Sequence, residues 1–197
     1  MASRCILFSA RSGGEAGDGI VTLLKIVGMG HPVLRRIADP VADPGDPEIA
    51  MLAEDMIETM RDAPGIGLAA PQVYRPLRLI VFEVPPGRQE EGEPPAPEGP
   101  TVLINPEIVP LLDDTVLGME GCLSIPGLRG LVPRWRRIGY RGLGLDGQVI
   151  EREAEGLHAR VVQHEVDHLD GVLYLDRLRD LNDLAVDAEA RHLADRA

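Results

Sequence analysis

The stretch His164-Glu165-Val166-Asp167-His168 sets two imidazoles four residues apart, with a carboxylate directly after the first. On a helix, residues four apart share a face, so both rings can reach one ion. Leu157, Val161, His164 and His168 fall at offsets 0, 4, 7 and 11, a stripe that carries the imidazoles towards the core. Glu165 is turned to the side of that stripe, where it can take a proton from an ion-activated water without displacing it. Two core histidines beside a surface glutamate would also fit these letters. Both rings would then need burial and partners on one stripe, beside an acid at the catalytic spacing.

A catalytic ion of this kind needs a third protein ligand. Tyr174 stands where an astacin-like or matrixin-like H-x-x-G-x-x-H continuation requires histidine, although Gly171 fits. Glu189 is the acid at thermolysin-like distance, in an alanine-rich terminal stretch without a supporting motif; a zinc peptidase would need it. Cys122, in Glu120-Gly121-Cys122-Leu123-Ser124, is the better choice, because a thiolate binds borderline divalent ions and three ligands leave a position for water. Read otherwise, Cys122 is a small buried hydrophobe or the nucleophile of a Cys–His pair. The second histidine one turn away favours ligation. A third segment, Gly65-Ile66-Gly67-Leu68-Ala69-Ala70-Pro71-Gln72, lacks the lysine and spacing of a phosphate loop. Its small residues would let backbone approach a ligand, and Gln72 offers a donor for an oxyanion. A tight turn with Gln72 exposed fits that segment equally well.

The elements that must position these residues are legible in part. Ile49, Leu52, Ala53, Met56, Ile57 and Met60 form an apolar stripe over 47–62, with Asp46 as cap and Pro47 at the first helical position. A second helix is expected over 154–169 and an amphipathic third over 177–194. Leu77 to Phe82 reads as a buried strand, with shorter strands at 101–104, 107–112, 131–133, 136–140 and near 148–151. Strands gathered in the middle and helices towards the ends indicate an α+β fold. Residues 85–100, crowded with Pro, Gly and Glu, read as an exposed loop, and residues 1–20 as a disordered extension ahead of one catalytic domain over 21–180.

Composition narrows the function. The 197 residues are 44% hydrophobic, enough for a sizeable core, and no run reaches membrane-spanning length. A net charge of −12 argues against nucleic-acid or anionic-membrane binding, with Arg134, Arg136 and Arg137 as a small basic patch. Cys5 and Cys122 do not make a secreted disulfide scaffold, and the start lacks the layout of a secretory signal, so a reducing cytoplasm is expected.

Taken together, GIGLAAPQ at 65–72, EGCLS at 120–124 and QHEVDH at 163–168 resemble, in the same order, the three motifs of the peptide deformylases. HPVLRRIADPV at 31–41, INPEI at 104–108, SIPGLRGLVPR at 124–134 and HLDGVLYLDRL at 168–178 add to the likeness, which covers about residues 21–180. The resemblance implies small antiparallel or mixed sheets around a central HExxH helix, flanked by N- and C-terminal helices. It implies hydrolysis of the formyl group from formyl-methionyl nascent chains by one divalent ion: ferrous iron natively, with zinc, nickel or cobalt able to replace it. By resemblance, Cys122, His164 and His168 would be ligands, Glu165 the general base, and Gln72 with the Leu123 backbone N–H the oxyanion donors. Gly67 and Gly121 would pair with extended peptide, and Ile66, Leu157 and Val161 would wall the methionine pocket. A monomer that meets the ribosome transiently is implied, with no direct nucleic-acid or membrane site. The chain departs from the family pattern at Tyr74, usually glycine, where tyrosine would be strained, and in the 85–100 and 1–20 segments. An inactive metal-binding relative is the alternative outside the enzymes.

Overall fold

The computed structural model describes residues 21–88 and 92–194, so the extension expected at 1–20 lies outside the described residues. Helix α1 (Pro47–Asp62) runs over the predicted span. Asp46 accepts a bond from Glu48 N at 2.8 Å, and Pro47 occupies the first turn, where its missing N–H costs nothing. Four short residues later begins a sheet of five antiparallel strands, ordered β1 (Gly67–Ala69), β2 (Leu79–Phe82), β3 (Thr101–Pro110), β6 (Arg137–Leu143) and β7 (Val149–Glu155). A second sheet orders β4 (Thr115–Cys122), β5 (Ile125–Trp135) and β8 (Leu184–Val186). Helix α2 (Gly156–Leu169) lies between them, packed on β1, β2, β7 and β5.

The apolar run of β2 is continuous because both of its faces are covered. Alternate residues divide between two cores. Leu79 and Val81 join Met56 and Met60 of α1, while Ile80 and Phe82 join Val162 and Val166 of α2. Helix α2 is in turn buried almost all round, from His158 to Leu169 with Arg160 excepted, so its apolar residues do not form one stripe.

Several elements differ from expectation for physical reasons. The strands read at 101–104 and 107–112 are one strand, β3, whose register shifts between Ile104 and Glu107. Asn105 takes a left-handed φ of 51° there, and its side-chain amide bonds both Val41 N and Val41 O at 2.9 Å. The second helix begins at Gly156, because Ala154 still pairs with Ile138 and Glu155 with Arg137 in the β6–β7 ladder. Gly156 makes the turn with φ 58°.

The loop over 85–100 is irregular where described but does more than meet solvent. Ala96 packs against the α2 core, and the Glu93 carboxylate lies against Gly156. The helix expected over 177–194 is corrected: α3 is confined to Arg191–Ala194. Asp180 caps a short 3-10 turn by accepting from Asn182 N at 2.6 Å, Arg179 is held by Asp183, and Leu184–Val186 extends to pair with Leu128–Gly130 of β5. Local Asp bonds and an available strand edge outcompete the helical pattern. No helix among the described residues is long and apolar enough to cross a membrane.

Candidate metal centre and peptide groove

Three elements converge on one point. The hairpin of β4 and β5 turns at Leu123-Ser124 and delivers Cys122 from its last β4 residue. Helix α2 delivers His164, Glu165 and His168, and the 3-10 turn Ala70–Val73 delivers Gln72. The thiol of Cys122 and one nitrogen from each of His164 and His168 lie within 4.8 Å of one another, with Cys122 Sγ 3.3 Å from His168 Nε2. Gln72 is buried, which decides against the exposed-turn reading. Its Oε1 accepts from Ala69 N at 2.9 Å, fixing the amide so that Nε2 donates to Cys122 Sγ at 3.4 Å and Ser124 Oγ at 3.1 Å.

A chain of buried charges supports the cluster, and the sequence did not reveal it. Glu120 accepts from His164 Nδ1 at 2.8 Å, which leaves Nε2 of that ring for the cluster. Arg134 forks onto both Glu120 oxygens at 2.8 and 2.9 Å and reaches Asp167 at 2.5 Å; Arg160 and Arg177 complete the network from either side. The expected basic patch is therefore absent: Arg134 is buried, Arg136 pairs with Asp114, and Arg137 with Glu153. Glu120 stands directly in the EGCLS motif and Asp167 inside the HExxH span, but sequence cannot show that Arg134 joins them.

Burial and neighbouring charges act in opposite senses on the groups of the cluster. Burial alone would raise the Glu120 carboxyl, but the bonds from Arg134 and His164 outweigh it and hold it far below the usual carboxylate range. Burial would lower His164, yet the bonds to Cys122 and Glu120 prevail and draw that ring towards its charged form. Burial keeps His168 neutral, with the His164 charge adding to the effect. Glu165 is pushed up to about 7, chiefly by burial, and its Oε2 is buried with no protein partner among the described residues. One soft thiol, two imidazoles and an orphaned carboxylate oxygen beside them are a donor set that suits a borderline divalent ion with room for water.

Beside the cluster opens a pocket of ≈ 480 Å³. The predicted Ile66, Leu157 and Val161 line it, together with Leu123 and with Ile125, which sequence reasoning missed. Gly67 and Gly121 are on its wall, and each lies close under a charged side chain. A Cβ on Gly67 would meet the Glu165 carboxylate, and one on Gly121 the Arg129 guanidinium. Glu189 is exposed, paired with His192 at 3.3 Å and outside the ligand group, so it supplies no third ligand. Tyr74 has the left-handed conformation suspected from its departure from glycine, with φ 63°, and its ring meets His31 edge-on at 5.1 Å.

A pocket beside a Cys-His-His cluster and an adjacent carboxylate, in an α+β fold, is an arrangement that suits a metal-dependent hydrolase. The family described as polypeptide deformylase matches residues 23–183, and the chain belongs to it. It is 55% identical over 157 residues to peptide deformylase 1 of Bordetella pertussis, covering 79% of this chain and 88% of that one. The fold resembles the crystal structure of the Thermotoga maritima peptide deformylase with a TM-score of 0.72 at 40% identity, covering 81% of this chain and 99% of that one. The Met-Ala-Ser-bound class I type b peptide deformylase of Acinetobacter baumannii superposes equally well, with a TM-score of 0.72, 38% identity, and 81% and 100% of the two chains covered.

Proposed function

We propose that this chain hydrolyses the N-formyl group from the N-terminal formyl-methionine of nascent polypeptides, releasing formate and a free amine. The observation that carries the reading is the convergence of Gln72, Cys122, His164, Glu165 and His168 beside one pocket whose wall includes Ile66, Leu123, Ile125, Leu157 and Val161. Cys122, His164 and His168 are assigned as ligands of one divalent ion, ferrous iron natively, with zinc, nickel or cobalt as substitutes. When bound, such an ion supplies Lewis-acid chemistry, activating water and polarising a carbonyl.

The protein's own groups carry the remaining work. Ile66, Leu157 and Val161 hold the methionine side chain, and the backbones of Gly67 and Gly121 hold the peptide extended, a mode that reads main chain and so serves many sequences. Glu165 takes a proton from water as its oxygen attacks the formyl carbon. The carbonyl oxygen gains the charge and is held by Gln72 Nε2–H and the Leu123 backbone N–H. The C–N bond then breaks, and Glu165 delivers its proton to the departing amine nitrogen. We assign the protein to the cytoplasm, acting as a monomer that meets the ribosome transiently as chains emerge.

The reading is tested by offering the iron-loaded protein, prepared without oxygen, formyl-Met-Ala-Ser, acetyl-Met-Ala-Ser and an unformylated peptide with internal bonds. Formate from the first, with the others intact, is the expected pattern. Cleavage of internal bonds would make it a peptidase, and bound metal without any turnover an inactive relative.

A further inference from the structure

The C-terminal segment that replaces the expected long helix brings a charge to the groove. Strand β8 adds to the free edge of β5, with Leu128 opposite Val186, and this register seats Asp187 beside Arg129. Arg129 Nε donates to Asp187 Oδ1 at 2.8 Å, both side chains are half-exposed, and both line the pocket. The Arg129 guanidinium also occupies the space that a Cβ on Gly121, one residue before Cys122, would need. A peptide laid along Gly121 with its methionine in the pocket must pass this pair.

Left alone, Arg129 would place a full positive charge beside the residues that follow the methionine, and acidic nascent chains would be preferred. With Asp187 at bonding distance the field there is that of a compact dipole, which falls off faster than that of a single charge. Accepting the deformylase reading, we propose that Asp187 is a specificity-determining residue that neutralises Arg129 in the peptide groove and keeps the enzyme indifferent to the charge following the methionine. An exposed ion pair contributes little to stability, so this pair is free to serve selectivity.

The test uses the metal-loaded full chain with Met-Glu-Ser and Met-Lys-Ser. Equilibrium binding is measured by calorimetry, and formate release is measured from the formylated forms. Asp187→Asn should shift the Glu-to-Lys affinity ratio towards Glu by about five-fold at low salt, and Arg129→Met should shift it towards Lys by a similar factor. The double variant should return to the wild-type ratio, and about 0.5 M salt should erase both shifts. Arg88, which also lines the pocket, is common to all four proteins and offsets every ratio alike. Equal losses on both peptides, shifts of the same sign in the two single variants, or no binding of either peptide would overturn the proposal. Ratios that move as expected without formate from the wild type would leave this inference standing and refute the deformylase reading. Formate release with unmoved ratios would do the reverse.

Discussion

At the scale of single residues, glycines and buried charges hold the proposed reacting groups in place. Gly67 has no Cβ because the Glu165 carboxylate occupies that space. Gly67→Ala should therefore displace the carboxylate and cut turnover by about ten-fold or more, with metal content unchanged, since small displacements at a reacting group are costly. Metal analysis beside kinetics checks it; full activity would mean that Glu165 is not held there. Arg134 bridges Glu120 and Asp167 at the heart of the domain. Arg134→Met should cost about 3 kcal/mol or more, because it leaves two buried carboxylates without their main counter-charge. It should also weaken metal affinity about ten-fold by loosening His164. Urea unfolding and metal competition measure the two effects, and an unchanged midpoint would contradict the first. His164, Glu165 and His168 stood out in sequence by their spacing on one helix and Cys122 by its place in EGCLS, whereas Gln72 rested on the family resemblance, since an exposed turn fitted its segment equally well. The Arg134 network was not legible, since an arginine looks the same in sequence whether it meets water or two buried acids.

At the scale of elements, α2 matters most, and its start is unusual. Its N-cap, Glu155, makes no side-chain capping bond, and the Glu93 carboxylate from the Pro-rich loop lies against Gly156 at the helix entrance. A negative charge at a helix N-terminus is favourable, so Glu93→Gln should lower stability by about 0.5 kcal/mol, less at high salt. No change in unfolding midpoint would remove the loop from this role. Two residues further on, His158 is fully buried with Tyr140 Oη 3.1 Å from its Nε2. Burial lowers its pKa to about 4. The unfolded chain binds a proton near pH 6.5 and the folded one does not until about 4, so stability should fall as pH drops through that window. Glu165, raised to about 7, acts in the opposite sense in both proteins, so between pH 7 and 5 the wild type should lose about 2 kcal/mol relative to His158→Phe. Parallel pH slopes for the two proteins would refute this. Helix α1 was legible to the residue because its cap, proline and apolar period agree. The C-terminal helix was misread because nothing in 177–194 announces the β5 edge that draws Leu184–Val186 into extension.

At the scale of the whole molecule, two small sheets grip one buried helix, and the site forms where the β4–β5 turn, the Gln72 turn and α2 meet. That meeting depends on pairings between distant segments, such as β3 with β6, which local pattern does not encode; the order of strands was therefore illegible while most of their positions were not. We propose that this convergence hydrolyses a formyl amide through Glu165. The most direct measurement is formate release from formyl-Met-Ala-Ser by the iron-loaded wild type and by Glu165→Gln, with metal counted in both. One metal per chain is expected in each protein, with steady formate from the wild type and at least about 100-fold less from the variant. Comparable formate from the two would contradict the proposal.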